Sequence, residues 1–278
     1  MSHGNAIRVH KELTLPQSCM VVGWNEDAAN LGRKVTDYLK LKLNGQEFAE
    51  IDPEEFFPMG GVAIKDNIAR FPQSKFYVCP EQELMIFQSD SPSAEWYKFL
   101  TSILEVAEHH YRNLRELYVV GAMISFSAHT APRELLAVSN LPEMKENLNQ
   151  YNLNTDMDYQ TAPGERPTLN SFLLWIAKEK NVPAASLWLP VPFYLAAVED
   201  AQAQKKVLSF LDERLDLKID FADLDQEIRE QNEKLAAARS QFPQIDEYIN
   251  RLESNLMLSE EENAELVKYI EDFLKGEN

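Results

Sequence analysis

The sequence predicts an α/β sandwich followed by a helical appendage, and three observations carry that prediction. Up to about residue 218, short apolar runs alternate with segments of helical periodicity, the pattern of a sheet covered by helices. Beyond that point the apolar positions fall into alternating three- and four-residue steps, the narrow stripe of helices packed on one another. Finally, 278 residues with 45% apolar and 26% charged content describe an ordinary globular protein that needs no disulfide staples. The expected division is a sandwich domain over residues 1–218 and a helical hairpin or tail subdomain over 219–278.

Each element has its own warrant. Ser18 to Val22 reads as a buried strand, leading through Gly23-Trp24-Asn25-Glu26-Asp27 into a helix that ends near Leu43. Gln46 to Ile51 is a short strand. Val62 to Phe71 reads as two strand-like runs around Asp66-Asn67, a hairpin turn. Phe76 to Cys79 and Leu84 to Gln88 are further strands, and Trp96, Phe99, Leu100, Ile103, Leu104 and Ala107 mark one face of a helix. Leu117 to Val120 is a central strand and Leu135 to Val138 another. Leu169, Phe172, Leu173 and Ile176 repeat at helical spacing, Ser186 to Leu189 is the last core strand, and Asp200 caps a helix to about Leu215. In the tail, Phe221, Leu224, Ile228, Gln231, Leu235, Ala238 and Phe242 form a seam that Ile245, Ile249, Leu252 and Leu256 continue past Pro243, the start of a second helix. A third helix carries Leu266, Ile270, Phe273 and Leu274.

Charge and composition exclude some partners. A net charge of -18 argues against nucleic acid or an anionic membrane as the main partner, because phosphate would be repelled. Residues 246–278 alone hold ten acidic against three basic side chains. No apolar run approaches the roughly 18 residues of a membrane span. The opening MSHGNAIRVHKEL lacks the apolar core of a signal peptide, so a cytoplasmic location is expected, with Cys19 and Cys79 as buried reduced thiols.

Few residues form a chemical constellation. The turn from Gly23 to Arg33 joins a strand to a helix, where α/β proteins place phosphates, and Asn30, Gly32 and Arg33 are its candidate cofactor contacts. It has no glycine-rich cradle, and Glu26 and Asp27 at the helix start would repel an anion and suit capping, so no cofactor is expected. His129-Thr130-Ala131-Pro132-Arg133 follows a strand end. His129 could serve as acid or base and Arg133 could hold a carboxylate or phosphate. The alternative is a turn in which His129 and Thr130 satisfy backbone groups and Pro132 fixes the bend. Ser125 and Ser127 lack the surroundings of a nucleophile elbow, and without a nucleophile the structural reading is preferred. Glu105, Glu108, His109 and His110 read as a solvated helix end, and no metal is expected. Trp175, Trp188, Phe193 and Tyr194 read as core, with Phe193 and Tyr194 also candidates for a pocket or subunit contact.

Several of these segments together resemble the proteasome assembly chaperone two family in its bacterial and archaeal form. The resemblance spans roughly Val21 to Leu252. It rests on Gly23-Trp24, Ala29-Asn30-Leu31-Gly32, Glu95-Trp96 with Phe99, Gly121, His129-Thr130 with Pro132, Ser186-Leu187-Trp188 with Val191-Pro192, and Tyr248 with Leu252-Glu253. Ala29 stands where the family motif has a first glycine. Ala162-Pro163-Gly164-Glu165-Arg166-Pro167 replaces the family's Gly-Pro-Thr-Gly, so no function of that loop is carried over. The resemblance implies a three-layer αβα sandwich of the phosphorylase/hydrolase-like kind and self-association with a trimer favoured, but no activity; the role expected is a non-catalytic assembly-chaperone or scaffolding one with a protein partner. Archaeal relatives that dock on the proteasome end in a hydrophobic residue, Tyr and any residue. The sequence here ends Lys275-Gly276-Glu277-Asn278, so docking through that signal is not expected. The rival reading is a small-molecule enzyme, a ligase or a hydrolase/phosphorylase-like protein, using a pocket around His129 and Arg133.

Overall fold

In the computed structural model, which describes residues 7–11, 18–57, 62–65, 67–110 and 114–276, the chain divides into two compact units. The first comprises Met1–Glu26, Gly32–Gly121 and Leu136–Leu187; the second comprises Asp27–Leu31, Ala122–Leu135 and Trp188–Asn278.

The first unit is built on a mixed sheet. Its strands are β1 (Ile7–Val9), β2 (Ser18–Trp24), β3 (Gln46–Ile51), β6 (Ser74–Cys79), β7 (Leu84–Ser89), β8 (Leu114–Ser125), β9 (Leu136–Ser139) and β10 (Ala184–Pro192), while β4 (Ala63–Lys65) and β5 (Ile68–Arg70) form a separate hairpin. The order across the eight-stranded sheet is β1-β3-β6-β7-β2-β8-β10-β9. β2 is parallel to both β7 and β8, whereas β7, β6, β3 and β1 pair antiparallel in succession. All seven residues of β2 are buried, as a central strand covered on both faces requires.

The alternation along β2 shows how the layers form. Met20, Val22 and Trp24 join one core with Phe99 and Ile103 of α2 (Trp96–His110) and Leu173 and Ile176 of α4 (Leu169–Glu179). The aromatic pairs Phe76–Phe87 and Phe56–Phe99, with centroids 4.5 and 5.0 Å apart, tighten that core. On the other side Gly23 meets α1 (Leu31–Lys42) so closely that a Cβ there would lie 2.3 Å from the Gly32 carbonyl oxygen and 2.7 Å from Thr36 Cγ2. The chain thus forms the expected α/β sandwich with a C-terminal helical region. A buried relay links the layers: Trp24 Nε1 donates to Asn170 Oδ1 at 2.7 Å, and Asn170 Nδ2 donates to Ser186 Oγ at 3.1 Å.

Two elements were not anticipated. β1 is three residues long, too short to show a period, and α3 (Pro142–Leu148) is a two-turn helix opened by proline. The hairpin turn falls at Asn67, whose φ of 62° suits asparagine. Asp66 lies outside the described residues. Trp175, read as core, is 47% exposed and stacks on Phe172 at 5.3 Å instead, because the buried arc of α4 is taken by Leu173, Leu174, Ile176 and Ala177.

The second unit takes the ends of β8 and β10, a 3-10 turn at Phe193–Leu195, and the helices α5 (Ala201–Leu215), α6 (Ala222–Gln241), α7 (Pro243–Glu253) and α8 (Glu260–Lys275). Asp200 caps α5 by accepting from the Ala203 N–H at 2.9 Å, and Pro243 opens α7, both as the sequence indicated. Ser259 and Glu262 form a capping box on α8. The tail is more than a hairpin, since α8 packs on α6, on α7 and on the Phe193–Leu195 turn. Leu224, Leu235, Ala238, Ile245, Ile249 and Leu252 are buried as the seam requires. Leu256 is exposed, because α7 ends at Glu253 and left-handed Asn255 (φ 57°) redirects the chain. Gln231 interrupts the seam for a reason: its Nε2 donates to the Glu199 carbonyl, and its Oε1 accepts from the Ala201 N–H at 3.1 Å, at the first turn of α5. Among the described residues no helix is long and apolar enough to cross a membrane.

Candidate functional site

The loop after β8 is held by a phenol. The backbone N–H of His129 donates to Tyr194 Oη at 2.6 Å, and His129 Nδ1 lies 2.8 Å from the same oxygen, with the rings edge to face at 5.9 Å. The hydroxyl accepts the amide and keeps one hydrogen of its own, which it can donate to Nδ1 of a neutral His129 that carries its proton on Nε2. The chemistry agrees. Burial pushes the Tyr194 hydroxyl well above the usual tyrosine range and so keeps it a donor. His129 is held below its ordinary 6.5, first by burial and then by Arg239 and Arg133, with Glu253 and Asp200 opposing.

Arg133 is equally committed. Its guanidinium forms a two-point pair with Asp200, the second contact at 3.3 Å, and donates to Gln202 Oε1 at 3.0 Å. The side chains of Arg133 and Asp200 are only 8% and 1% exposed. Thr130 Oγ1 donates to Glu253 Oε1 at 2.9 Å, and the same carboxylate pairs with Arg239 at 2.8 Å. Arg239 also binds Asp246 at 2.7 Å and Asn250 at 2.7 Å, and it pulls the carboxyls of Glu253 and Asp246 below their ordinary values. A cavity of 330 Å³ is lined by His129, Thr130, Gln202, Asn232, Ala236 and Arg239. Arg133 is not part of its wall, so the two residues singled out in the sequence share a loop but do not meet in this cavity.

The other predicted residues lie elsewhere. Asn30 lines a separate 440 Å³ cleft, with Glu199, Glu227, Lys234 and Lys275 among its neighbours. Gly32 lies in the first turn of α1, where a Cβ would come within 2.9 Å of both the backbone nitrogen and the carbonyl oxygen of Trp24, a packing reason for glycine. Arg33 is exposed and pairs with Asp37 at 3.4 Å. Ala29 adopts φ 56°, which explains why a glycine is the expected residue at that point of the motif. Asp27 stands at the N-cap of the 3-10 turn Ala28–Asn30, but its side chain makes no capping bond. Phe193 and Tyr194 are 9% and 1% exposed, while Phe126, tilted over Phe193 at 5.4 Å, is 58% exposed. Glu108 at the end of α2 is paired with Lys180 at 2.9 Å. Cys19 and Cys79 are buried and unlinked, and burial raises the Cys79 thiol to about 12.

Sequence reasoning undervalued two groups here. Asp200 was read as a helix cap alone, and Tyr194 as an aromatic body without its hydroxyl. A buried phenol needs a hydrogen-bond partner, and that need was the available signal.

Comparison with known proteins places this architecture. No curated protein matches the chain. Among solved structures, it is similar to a proteasome-assembly chaperone homologue from Mycobacterium tuberculosis, with 18% identity, a TM-score of 0.67 and coverage of 83% of this chain and 99% of that one. It is similar to PbaB, an archaeal proteasome activator from Pyrococcus furiosus, with 21% identity, a TM-score of 0.66 and coverage of 84% and 98%. A Mycobacterium tuberculosis protein of unknown function gives 16% identity and a TM-score of 0.74, with 92% of each chain covered. At these identities the likeness is one of fold. The sequence model of the PAC2 family matches residues 20–239, most of the chain, and the chain belongs to that family.

Proposed function

We propose that this protein is a non-catalytic, assembly-chaperone-like or scaffolding member of the PAC2 family that works in the cytoplasm through protein partners and copies of itself, a trimer being the favoured assembly. One observation carries the non-catalytic reading: the groups a reaction would need are already committed to structure. Arg133 is neutralised by buried Asp200 and engaged by Gln202, and His129 is bonded through its backbone and its Nδ1 to Tyr194. An arginine whose charge is matched inside the protein has little left for a substrate anion. Solved PAC2-like folds described as a proteasome activator and as a proteasome-assembly chaperone homologue support the same class of role.

Light scattering on the purified full chain at micromolar concentration tests self-association, and a strictly monomeric mass would refute it. The enzyme reading has its own test. A His129→Ala variant that melts at the wild-type temperature would show that His129 carries no structural duty and would return weight to a pocket chemistry.

A further inference from the structure

We propose that His10, Glu47 and Glu50 form a binding site for a divalent transition-metal ion of the zinc class on the exposed face of the β1–β3 edge of the sheet. Nothing in the sequence spacing signals it, because the ligands come from two strands and are aligned by a bulge. Glu47 and Glu50 are three residues apart, and in a regular strand they would face opposite sides of the sheet. Phe48 breaks the alternation. The register of β3 on β6 steps from Glu47 opposite Tyr77 to Ala49 opposite Phe76, and the Phe48 carbonyl accepts the N–H groups of both His10, at 2.8 Å, and Lys11, at 3.3 Å. Phe48 and Ala49 are therefore both buried, and Glu47 and Glu50 share the outer face. On β1, Arg8 lies opposite Glu50, so His10, two residues on, occupies that same face.

The resulting geometry suits an ion. His10 Nε2 is 3.9 Å from Glu47 Oε1 and 3.8 Å from Glu50 Oε1, and one ligand atom from each of the three residues can be chosen so that all lie within 4.8 Å of one another. Zinc binds nitrogen and carboxylate oxygen at about 2.0–2.2 Å, so its ligand atoms stand roughly 3.3–4 Å apart and the trio needs only a small contraction. One of the carboxylates is held from behind. Lys75 binds the other oxygen of Glu47 at 3.0 Å, leaving Oε1 turned to His10, whereas Arg8, paired with Asp52, lies 3.5 Å from Glu50 Oε1 itself, a contact that an ion bound there would displace. One imidazole and two carboxylates with open positions favour zinc, nickel or cobalt over calcium, which takes six to eight oxygens. The three side chains are solvent-accessible, so an ion can enter without opening the fold. The competing account is a plain network of ion pairs with no affinity for metal.

Titration calorimetry of zinc chloride into the full chain decides between them. We expect one saturable site that weakens roughly tenfold or more in His10→Ala and in Glu50→Gln, is unchanged in His109→Ala, and is not matched by calcium. Circular dichroism of the variants should equal wild type, since the replaced side chains are outside the core. No saturable zinc binding, zinc binding that survives His10→Ala, or calcium binding of equal strength would each overturn the proposal.

Discussion

Tyr194 holds His129 at two points with a single oxygen, accepting its backbone N–H at 2.6 Å and facing its Nδ1 at 2.8 Å. The loop after β8 is thereby tied to the turn after β10 by a buried hydroxyl. Tyr194→Phe keeps the ring and removes both bonds, leaving an amide and an imidazole nitrogen unpaired. A loss of about 1–3 kcal/mol is expected, read from urea denaturation midpoints. A midpoint equal to wild type would show that water replaces the hydroxyl without cost.

The same pair sets a pH dependence. His129 has its folded value depressed below 6.5, so the unfolded chain takes up the proton first as pH falls. Its contribution to stability is complete above pH 6.5 and is lost on acidification through the folded value, at no more than about 1.4 kcal/mol per pH unit. Glu253 and Asp246, whose values are lowered by Arg239, begin to lose their contribution only below their ordinary 4.5 and 3.8. Denaturation between pH 6.5 and 5 should therefore show a slope that disappears in His129→Asn.

Arg133 and Asp200 form a pair that is costly to halve. Arg133→Met strands a carboxylate that is 1% exposed, and about 3–5 kcal/mol of stability should go with it. Replacing both residues should cost less than the sum of the single changes, because no lone charge is left. The double-mutant cycle measures that coupling, and strict additivity would mean the pair is not energetically linked.

Gln231 looks like a flaw in an apolar seam. Gln231→Leu would complete the seam by pattern, yet it removes bonds to the Glu199 carbonyl and the Ala201 N–H. We expect a net loss of about 1 kcal/mol, seen as a lower thermal midpoint. A gain would mean that seam packing outweighs the cap.

Gly32→Ala tests the reading of the first turn as packing. The added Cβ meets Trp24 backbone atoms at 2.9 Å, which cannot yield as a side-chain tip would. Destabilisation of about 1–3 kcal/mol or more is expected. An unchanged melt would reopen the turn as a ligand site.

Much of this protein was legible residue by residue. The short apolar runs that mark β2, β3, β6 and β7, the Asp200 cap and the proline that opens α7 are local signals, each written within a few neighbouring residues. The seam of α6 and α7 was visible because helical spacing repeats over many turns. What only the tertiary structure decided is which side chains meet. Asp200 lies 67 residues from Arg133, Tyr194 lies 65 from His129, and Gln231 reaches back 32 residues to Glu199. Periodicity reports which face of an element is apolar. It does not report which distant hydroxyl or carboxylate fills a buried group's hydrogen-bonding need. The bulge at Phe48 makes the same point in one strand, because a single extra residue turned Glu47 to the face of Glu50 and His10. That register is fixed by pairing with strands remote in sequence, so no local pattern could have declared it.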